Sequence, residues 1–595
     1  MSKTLLITLA VLSLVASCDK TKLDPRNQGK DPNSLYNGEN EEENEVVTPP
    51  EVYNITGKVV DNTGNGIKNV VVSDGLKCVK TLADGSFYLE SVTYGVKFVW
   101  VSTPSGYIPP VEGGLPKYYK TLASVTPEEG IYDMGEYVLT PVDNPNRFTI
   151  LVTADPQPRS SGAGYDKIGY HSLDNCQDLY RELKEVSSSI IGRQVYGICL
   201  GDIVHENMSL YKQYADGLAT LDYPTYNIIG NHDNDTAAAD DNDSAIPFES
   251  WFGPRNYSFN IGGIHFVVLD NLIMKDNGSG RLSGYDQGLT DEIWAWLQAD
   301  MSFVPTNTTV MVCAHSPMFK LESGSERTNT AKHGGHTNSS EGGAYGYGDL
   351  FDKYDEVHAW AGHTHTSFNY IYPETHRHSK VQVHTVARST GELWTNEYLS
   401  SGTPRGFTIV EVEGGDISWR FHPTTRQSSV WVGTTSVANA GDPVYRWRDW
   451  DYTGGVAVMK DGSGSLDESY QLHVYPRGAY GDDYVYANVF LWDKYWSKPV
   501  FTQEGGSPVE MVWINSTDDD AMIPDTEKIH DLGTTEFRTW YKAYSTKLSV
   551  DSGYTASSVG DITTMFRAPA NASPGKGTVS VTDRFGNTYT RTVSW

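Results

Sequence analysis

Val195-Tyr196-Gly197-Ile198-Cys199-Leu200-Gly201-Asp202 is a strand-length apolar run that ends on a glycine and a carboxylate. Such a run suits a strand buried on both faces. The same ending recurs along the chain. Asp155-Pro156-Gln157, Gly230-Asn231-His232-Asp233, His315 and Gly362-His363-Thr364-His365 each close a stretch of β-type residues. Together the five blocks supply carboxylate, amide and imidazole groups, the oxygen and nitrogen donors that hard and borderline divalent metals take. Two such ions side by side clamp a phosphate during in-line displacement. No block decides alone; five in this order point to a shared two-metal site.

The segments that carry the blocks alternate strand and helix. Apolar runs of strand length cover 148–153, 195–200, 226–229, 265–269, 309–314 and 357–361. Between them, 173–190 and 289–301 space their apolar residues as helices do. Continuous apolar strands separated by helices imply a sheet covered on both faces, with ligands bound in the loops at one edge. All five blocks fall in such loops, so residues 144–424 are expected to fold as the catalytic unit.

The remainder divides by composition. A chain of 595 residues is too long for one core. Its formal net charge of −29 speaks against a nucleic-acid binder, because phosphate backbones attract Lys and Arg. In an acidic body, bound metals supply the positive charge that a phosphate site needs. Met1-Ser2-Lys3 precedes an apolar run, Leu5 to Leu14, too short to span a bilayer, which stops at Val15-Ala16-Ser17-Cys18. Small residues directly before a cysteine resemble a bacterial lipobox. Residues 1–18 are therefore expected to be a lipoprotein signal peptide, with the exported protein held to a membrane by lipid on Cys18, periplasmic or at the cell surface. Residues 19–50, with acidic positions clustered from Glu39 to Glu45, read as a flexible acidic tether. Cys78, Cys176, Cys199 and Cys313 lack framework spacing, and the last two sit in apolar strands as core.

Residues 51–143 carry Gly57-Lys58-Val59-Val60-Asp61, Gly64-Asn65-Gly66-Ile67 and Asp84-Gly85-Ser86-Phe87. This pattern resembles the carboxypeptidase regulatory-like β-sandwich, and a spacer or docking module is expected. After Thr424 helical periodicity vanishes, so residues 425–595 are expected to be all-β, with their Trp and Tyr residues as core.

The five blocks resemble the calcineurin-like metallophosphoesterase family, whose pattern is Asp-x-His, Gly-Asp, Gly-Asn-His-Asp/Glu, His and Gly-His-x-His. The resemblance covers residues 147–370. Four blocks match fully, and the first has Gln157 where His is usual. A regulatory-like sandwich before this core and a β domain after it resemble a bacterial lipoprotein subgroup of the family. The resemblance implies a multidomain fold: a central α/β metallophosphoesterase β-sandwich flanked by helices, with N-terminal and C-terminal all-β domains. It implies hydrolysis of a phosphodiester, diphosphate or phosphomonoester bond in a small phosphorylated substrate. The agent would be a hydroxide bridging two divalent ions, Mn, Mg, Fe or Zn. The alternative is a surface glycan-binding lipoprotein whose hydrolase core has decayed.

Within that frame Asp202 is expected to bridge the ions. Asp155, Gln157 and His365 complete the first site, and Asn231, His315 and His363 the second. Glycine before the ligands permits tight turns. His363 and His365 are expected on one face of an extended segment. In the resembled family the position of His232 stabilises the transition state or protonates the leaving oxygen, and Asp233 is expected to orient it. The Gln157 carbonyl is a weaker donor than imidazole, so the first ion should be held less tightly or be a harder one. His205 stands where the purple acid phosphatase branch has Tyr; it either faces substrate or braces its loop. Arg388 is expected to line the cleft as a phosphate contact. The Gly-, Ser- and Thr-rich stretch 322–348, with His333 and His336, reads as a mobile rim or lid, and His376, Arg377 and His378 as a solvated turn. Oligomeric state is not legible.

Overall fold

The computed structural model describes residues 49–595 except 51, 160–171, 320–330, 335–345, 366, 373, 375–376, 392–402, 425–449, 454–455, 460–469, 480–481, 514–563 and 573–574. The expected signal peptide with Cys18, the tether up to residue 48, His336 and His376 lie outside the described residues.

Two sheets face each other around one core. The first runs Thr225–Asn227, Gln194–Cys199, Arg147–Thr153, Gly406–Glu413, Asp416–Pro423 in spatial order. Its first three strands are parallel and the last two turn back antiparallel. The second runs Tyr257–Ile261, Ile264–Leu269, Thr309–Ala314, Glu356–Ala361, Val381–Thr385, Phe368–Ile371. Its four central strands are parallel and its edges antiparallel.

Strand periodicity explains why the apolar runs are continuous. Phe148, Ile150 and Val152 point into the core shared with Phe266, Val268, Val310 and Val312 of the facing sheet. Leu151, between them, points the other way. It packs with Cys199 and Ile409 against Cys176, Leu179, Tyr180 and Leu183 of the helix Ser172–Ser189. Each fully buried side chain of this size contributes roughly 1.5–3 kcal/mol, so the strands are held from both sides. The expected double covering is therefore present, but one of the two covers is a second sheet rather than a helix layer. The helix foreseen from 289 begins at Asp291, because the Thr290 side chain accepts the Ile293 N–H at 3.3 Å and caps it.

The N-terminal module is a sandwich of two four-stranded sheets closed over Val59, Val72, Phe87, Val99 and Leu139. It is docked rather than strung out. Thr103 O accepts the Asn260 backbone N–H at 2.8 Å, Ser258 Oγ donates to Ser102 Oγ at 2.9 Å, and Trp100 lies 6.0 Å from Trp296. The module thus extends the edge strand Tyr257–Ile261 of the six-stranded sheet.

The C-terminal region also forms two four-stranded sheets. Trp492, Trp496, Phe501, Trp513 and Phe566 are buried together in its core, which removes them as sugar platforms. Gln471 exchanges two hydrogen bonds with the Phe421 backbone, and Asn369 Nδ2 donates to Leu491 O at 2.9 Å. These contacts fasten the region to both catalytic sheets.

One loop expectation changes. His378 lies 2.6 Å from Asp352 and packs on Phe319, so it is half-buried rather than solvated. Of the expected rim, His333 sits 2.6 Å from Asp291 and stacks on Trp294, next to a helix start, while 322–330 and 335–345 lie outside the described residues. No helix among the described residues is long and apolar enough to cross a membrane.

Candidate metal centre

Each block follows the C-terminal end of a parallel strand, and in three of the five the turn made there is strained. Asp155, Gln157, Asp202, His363 and His365 all hold φ between +41° and +65°, a left-handed region that side chains with a Cβ rarely occupy. Such strain persists only where the surroundings over-determine it, and it gathers at functional sites. The glycines work in two ways. Gly201 uses its freedom at φ +88°, as expected of a turn. Gly230, at φ −113°, is needed for space instead: a Cβ there would lie 2.2 Å from Asp202 Oδ1.

The blocks converge on Asp202, which is buried with Asp155 and His315. On one side ligand atoms of Asp155, Asp202 and His365 lie within 4.8 Å of one another, with His365 Nε2 3.6 Å from Asp155 Oδ1. Gln157 joins them, its amide nitrogen donating to Asp202 Oδ2; presenting the carbonyl oxygen instead takes a half-turn of that amide. On the other side His315 Nε2 stands 3.3 Å from Asp202 Oδ1, 3.2 Å from Asn231 Oδ1 and 3.2 Å from His363 Nδ1. The structure therefore brings together all seven candidate ligands in two groups that share Asp202.

The donor set is short of positive charge. His315 Nδ1 lies 2.8 Å from Leu200 O, which can only accept, so Nδ1 carries a proton and Nε2 is the nitrogen that gains or loses one. Nε2 faces a carboxylate oxygen, an amide oxygen and a second imidazole. Burial opposes a charge on His315, yet Asp202 outweighs it and raises this imidazole to about 9. Burial raises the Asp155 carboxyl, against the pull of His365 and His315. Burial and the neighbouring His315 take His363 down to about 3, leaving it neutral. A cluster of acceptors that pulls a proton onto one member is a cluster that a divalent cation fits.

His363 and His365 do not share a face of an extended segment. Left-handed turns at both residues and a Thr364 N–H to Gly362 O bond of 2.6 Å fold the segment back. His363 N–H donates to Asp155 at 3.1 Å while its ring turns to His315. The two imidazoles part by backbone reversal rather than by strand alternation.

Asp233 is placed differently from the expectation. It is buried and accepts the N–H groups of Ile203, Val204 and Gly230 at 2.9–3.1 Å and the Tyr211 hydroxyl. Burial and the Asp202 charge push its carboxyl up to about 7. It braces the Asp202 turn and has no contact with the His232 ring. The reason is local: Asn231–Asp233 is a 3₁₀ turn, whose successive side chains splay about a third of a circle apart. The partner of His232 is Glu206, with Oε1 3.4 Å from Nδ1. Sequence reasoning missed Glu206, and its position four residues beyond Asp202 was the available cue.

The His205 ring lies 4.2 Å from that of His232, tilted by 33°, and burial with the His232 charge takes it down to about 3. It belongs to the cleft wall as a neutral ring. Ligand atoms of His205, Glu206 and His232 also lie within 4.8 Å of one another, a grouping that includes none of the seven candidate ligands. Arg388 is fully buried behind the first block, where its charge acts on both Asp155 and His205. Ser389 Oγ accepts the Ala154 N–H and Thr390 Oγ1 donates to Pro156 O, which fastens the Arg388 turn to Asp155 and Gln157. Cys199 and Cys313 are buried free thiols raised to about 12 by burial, as core residues would be.

Two family models match the sequence: the N-terminal part of calcineurin-like phosphoesterase over residues 53–149, and its C-terminal part over residues 384–589, together about half of the chain. No curated protein matches it. Similar solved structures include a dimetal phosphatase from Danio rerio, 14% identical, with 47% of this chain and 96% of that one covered at a TM-score of 0.31. A purple acid phosphatase from yellow lupin (Lupinus luteus) seeds is 11% identical, with coverage of 60% and 67% and a TM-score of 0.33. The structure of PhoD is 11% identical, with coverage of 67% and 84% and a TM-score of 0.31.

Proposed function

Because the chain belongs to the calcineurin-like phosphoesterase family and is a metal-dependent hydrolase of phosphoric esters, we propose that it cleaves a phosphodiester or diphosphate bond in a small substrate outside the cytoplasm. The observation that carries the reading is the convergence of atoms from Asp202, Asn231 and His315, with His363 beside them, on one point. Two divalent ions, Mn, Mg, Fe or Zn, would supply there, when bound, the charge that holds a phosphate and activates water. Asp155, Gln157, Asp202 and His365 would hold one ion and Asp202, Asn231, His315 and His363 the other.

The rest falls to the chain's own groups. His232 is half-exposed at the mouth, and Glu206 holds its Nδ1, which leaves Nε2 to hand a proton to the departing oxygen. The neutral ring of His205 lies beside His232, while Arg388, expected as a phosphate contact, is buried behind the first block and acts through its charge on Asp155. The small-small-Cys ending at Cys18 supports export and lipid anchoring of the enzyme.

The test uses metal-stripped protein reloaded with each ion in turn, on bis-p-nitrophenyl phosphate and p-nitrophenyl phosphate, with Asn231→Ala as control. Metal-dependent turnover, faster on the diester and abolished in the variant, is expected. Turnover that ignores both metal and Asn231 would sink the reading; faster monoester cleavage would replace the diesterase assignment.

A further inference from the structure

We propose that Tyr285 is a positioning residue of the metal centre: its hydroxyl oxygen accepts a hydrogen bond from His363 Nε2–H and so keeps the Nδ1 lone pair of that ring aimed at the acceptor cluster. The inference rests on the dimetal reading and adds a residue that none of the five blocks contains.

The geometry is simple. His363 Nδ1 faces His315 Nε2 at 3.2 Å, and His363 Nε2 faces the Tyr285 hydroxyl at 3.0 Å, with the two rings edge-on at 76°. A neutral imidazole has one N–H and two places to put it. A proton on Nδ1 would point into Asp202, Asn231 and His315 and leave no lone pair for a cation. A proton on Nε2 donates to the phenol oxygen and frees Nδ1. A phenol oxygen can accept or donate, so Tyr285 fits either tautomer; with a cation at Nδ1 the proton must sit on Nε2, and the Tyr285 oxygen is the acceptor that holds it there.

Tyr285 can do this because its mount is stiff. It lies on the hairpin strand Gly284–Gln287, paired with Leu272–Lys275. One end of the hairpin is tied to the loop of His315: Gln287 Nε2 donates to Ser316 Oγ and Asn271 Nδ2 to Ser316 O, both at 2.6 Å. The other end is tied to the chain just beyond Asp233: Leu282 N–H donates to Thr236 O at 2.9 Å and Arg281 donates to Thr236 Oγ1 at 2.6 Å. Met274 N–H adds a bond to Asp241 Oδ1. The hairpin that carries the hydroxyl is thus tied to the two loops that carry His315 and Asn231.

The experiment is a calorimetric Mn²⁺ titration of metal-stripped full-length wild type and Tyr285→Phe, with kcat and KM on bis-p-nitrophenyl phosphate measured alongside. Removing one second-layer partner lowers metal affinity by about 10- to 100-fold. The expected result is that one of the two Mn²⁺ binding events weakens about 10-fold or more while the other is unchanged. In parallel kcat falls, KM moves less than about threefold, and the metal-free melting temperature stays at the wild-type value. Should the Phe variant melt early, Tyr285→His, which restores a ring nitrogen to accept the proton, must recover affinity. Wild-type affinity for both ions in Tyr285→Phe overturns the proposal and leaves the dimetal reading standing. Wild-type protein that takes up no Mn²⁺ overturns the dimetal reading itself.

Discussion

Glu206 Oε1 lies 3.4 Å from His232 Nδ1, and the Glu206 backbone N–H donates to His232 O at 3.0 Å. Two contacts from one residue fix both the ring and the backbone of His232, at the price of a left-handed turn at Glu206 with φ +57°. General acid catalysis by a placed imidazole contributes about 10²–10⁴-fold. We expect His232→Ala to lose that range in kcat. Glu206→Gln, which leaves the imidazole but loosens it, is expected to lose about 10-fold of it with melting temperature unchanged. Steady-state kinetics beside thermal melts decides; a Glu206→Gln enzyme with wild-type kcat would mean that the pair has no role in turnover.

Asp233 should behave in the opposite way. Asn at this position can offer one oxygen to Gly230 and Ile203, but then turns its amide hydrogens toward the Val204 N–H that Asp233 accepts at 3.1 Å. A buried donor left without an acceptor costs about 1–3 kcal/mol. Asp233→Asn is expected to lower unfolding free energy by that amount in urea melts of the metal-free protein, with any loss of activity following from the displaced Asp202 turn. Unchanged stability with lost activity would return Asp233 to the role first expected of it.

These two residues mark where sequence reading stops. The five blocks were legible because each set of donors sits where an apolar strand run ends, and a shared sheet edge brings such ends together. Strand bounds followed for the same reason: Thr309–Ala314 packs apolar side chains on both faces and leaves no ambiguity of period. Orientation within a block was not legible. The 3₁₀ turn at Asn231–Asp233 sends His232 outward and Asp233 inward, and the left-handed turns at His363 and His365 reverse what an extended segment would give. Tyr285 was invisible, since it reaches His363 from 78 positions away and no local pattern records a hairpin folding over a loop. The docking of the N-terminal sandwich through Thr103 on Asn260 was hidden likewise, being a tertiary pairing of backbone groups.

Gln157 invites a gain-of-function test. Its amide faces Asp202, where imidazole is the usual donor of the resembled pattern. Imidazole suits Zn²⁺ better than a neutral amide oxygen, which suits harder ions. Gln157→His is expected to tighten Zn²⁺ binding at one of the two sites by about 10-fold while changing Mg²⁺ little, read by competition with a chromogenic chelator. No change at either site for either ion would remove Gln157 from the ligand set.

A buried polar chain that includes none of the candidate metal ligands makes stability depend on pH. Asn369 Nδ2 donates to Leu491 O, so its Oδ1 faces His384 Nδ1 at 2.8 Å and that nitrogen carries the proton. His384 Nε2 is then an acceptor, and His358 Nδ1 donates to it at 2.9 Å; His358 Nε2 in turn faces Glu356 at 3.2 Å. Burial, then the charges of His358 and Arg584, hold His384 well below its ordinary 6.5. The sign follows: the folded protein keeps His384 neutral where the unfolded chain would protonate it, so stability is intact above 6.5 and falls as pH drops below it. One proton's linkage is about 1.4 kcal/mol per pH unit. His205 and His363 are lowered too and add to the total slope of the metal-free protein, so the test is a difference. His384→Gln should be less stable than wild type at pH 7.5. Between pH 6.5 and 5 its urea-melt free energy should fall less steeply by about 1.4 kcal/mol per unit. Parallel slopes for the two proteins would mean that His384 takes up its proton in the folded state and that the chain is no acid-sensitive joint.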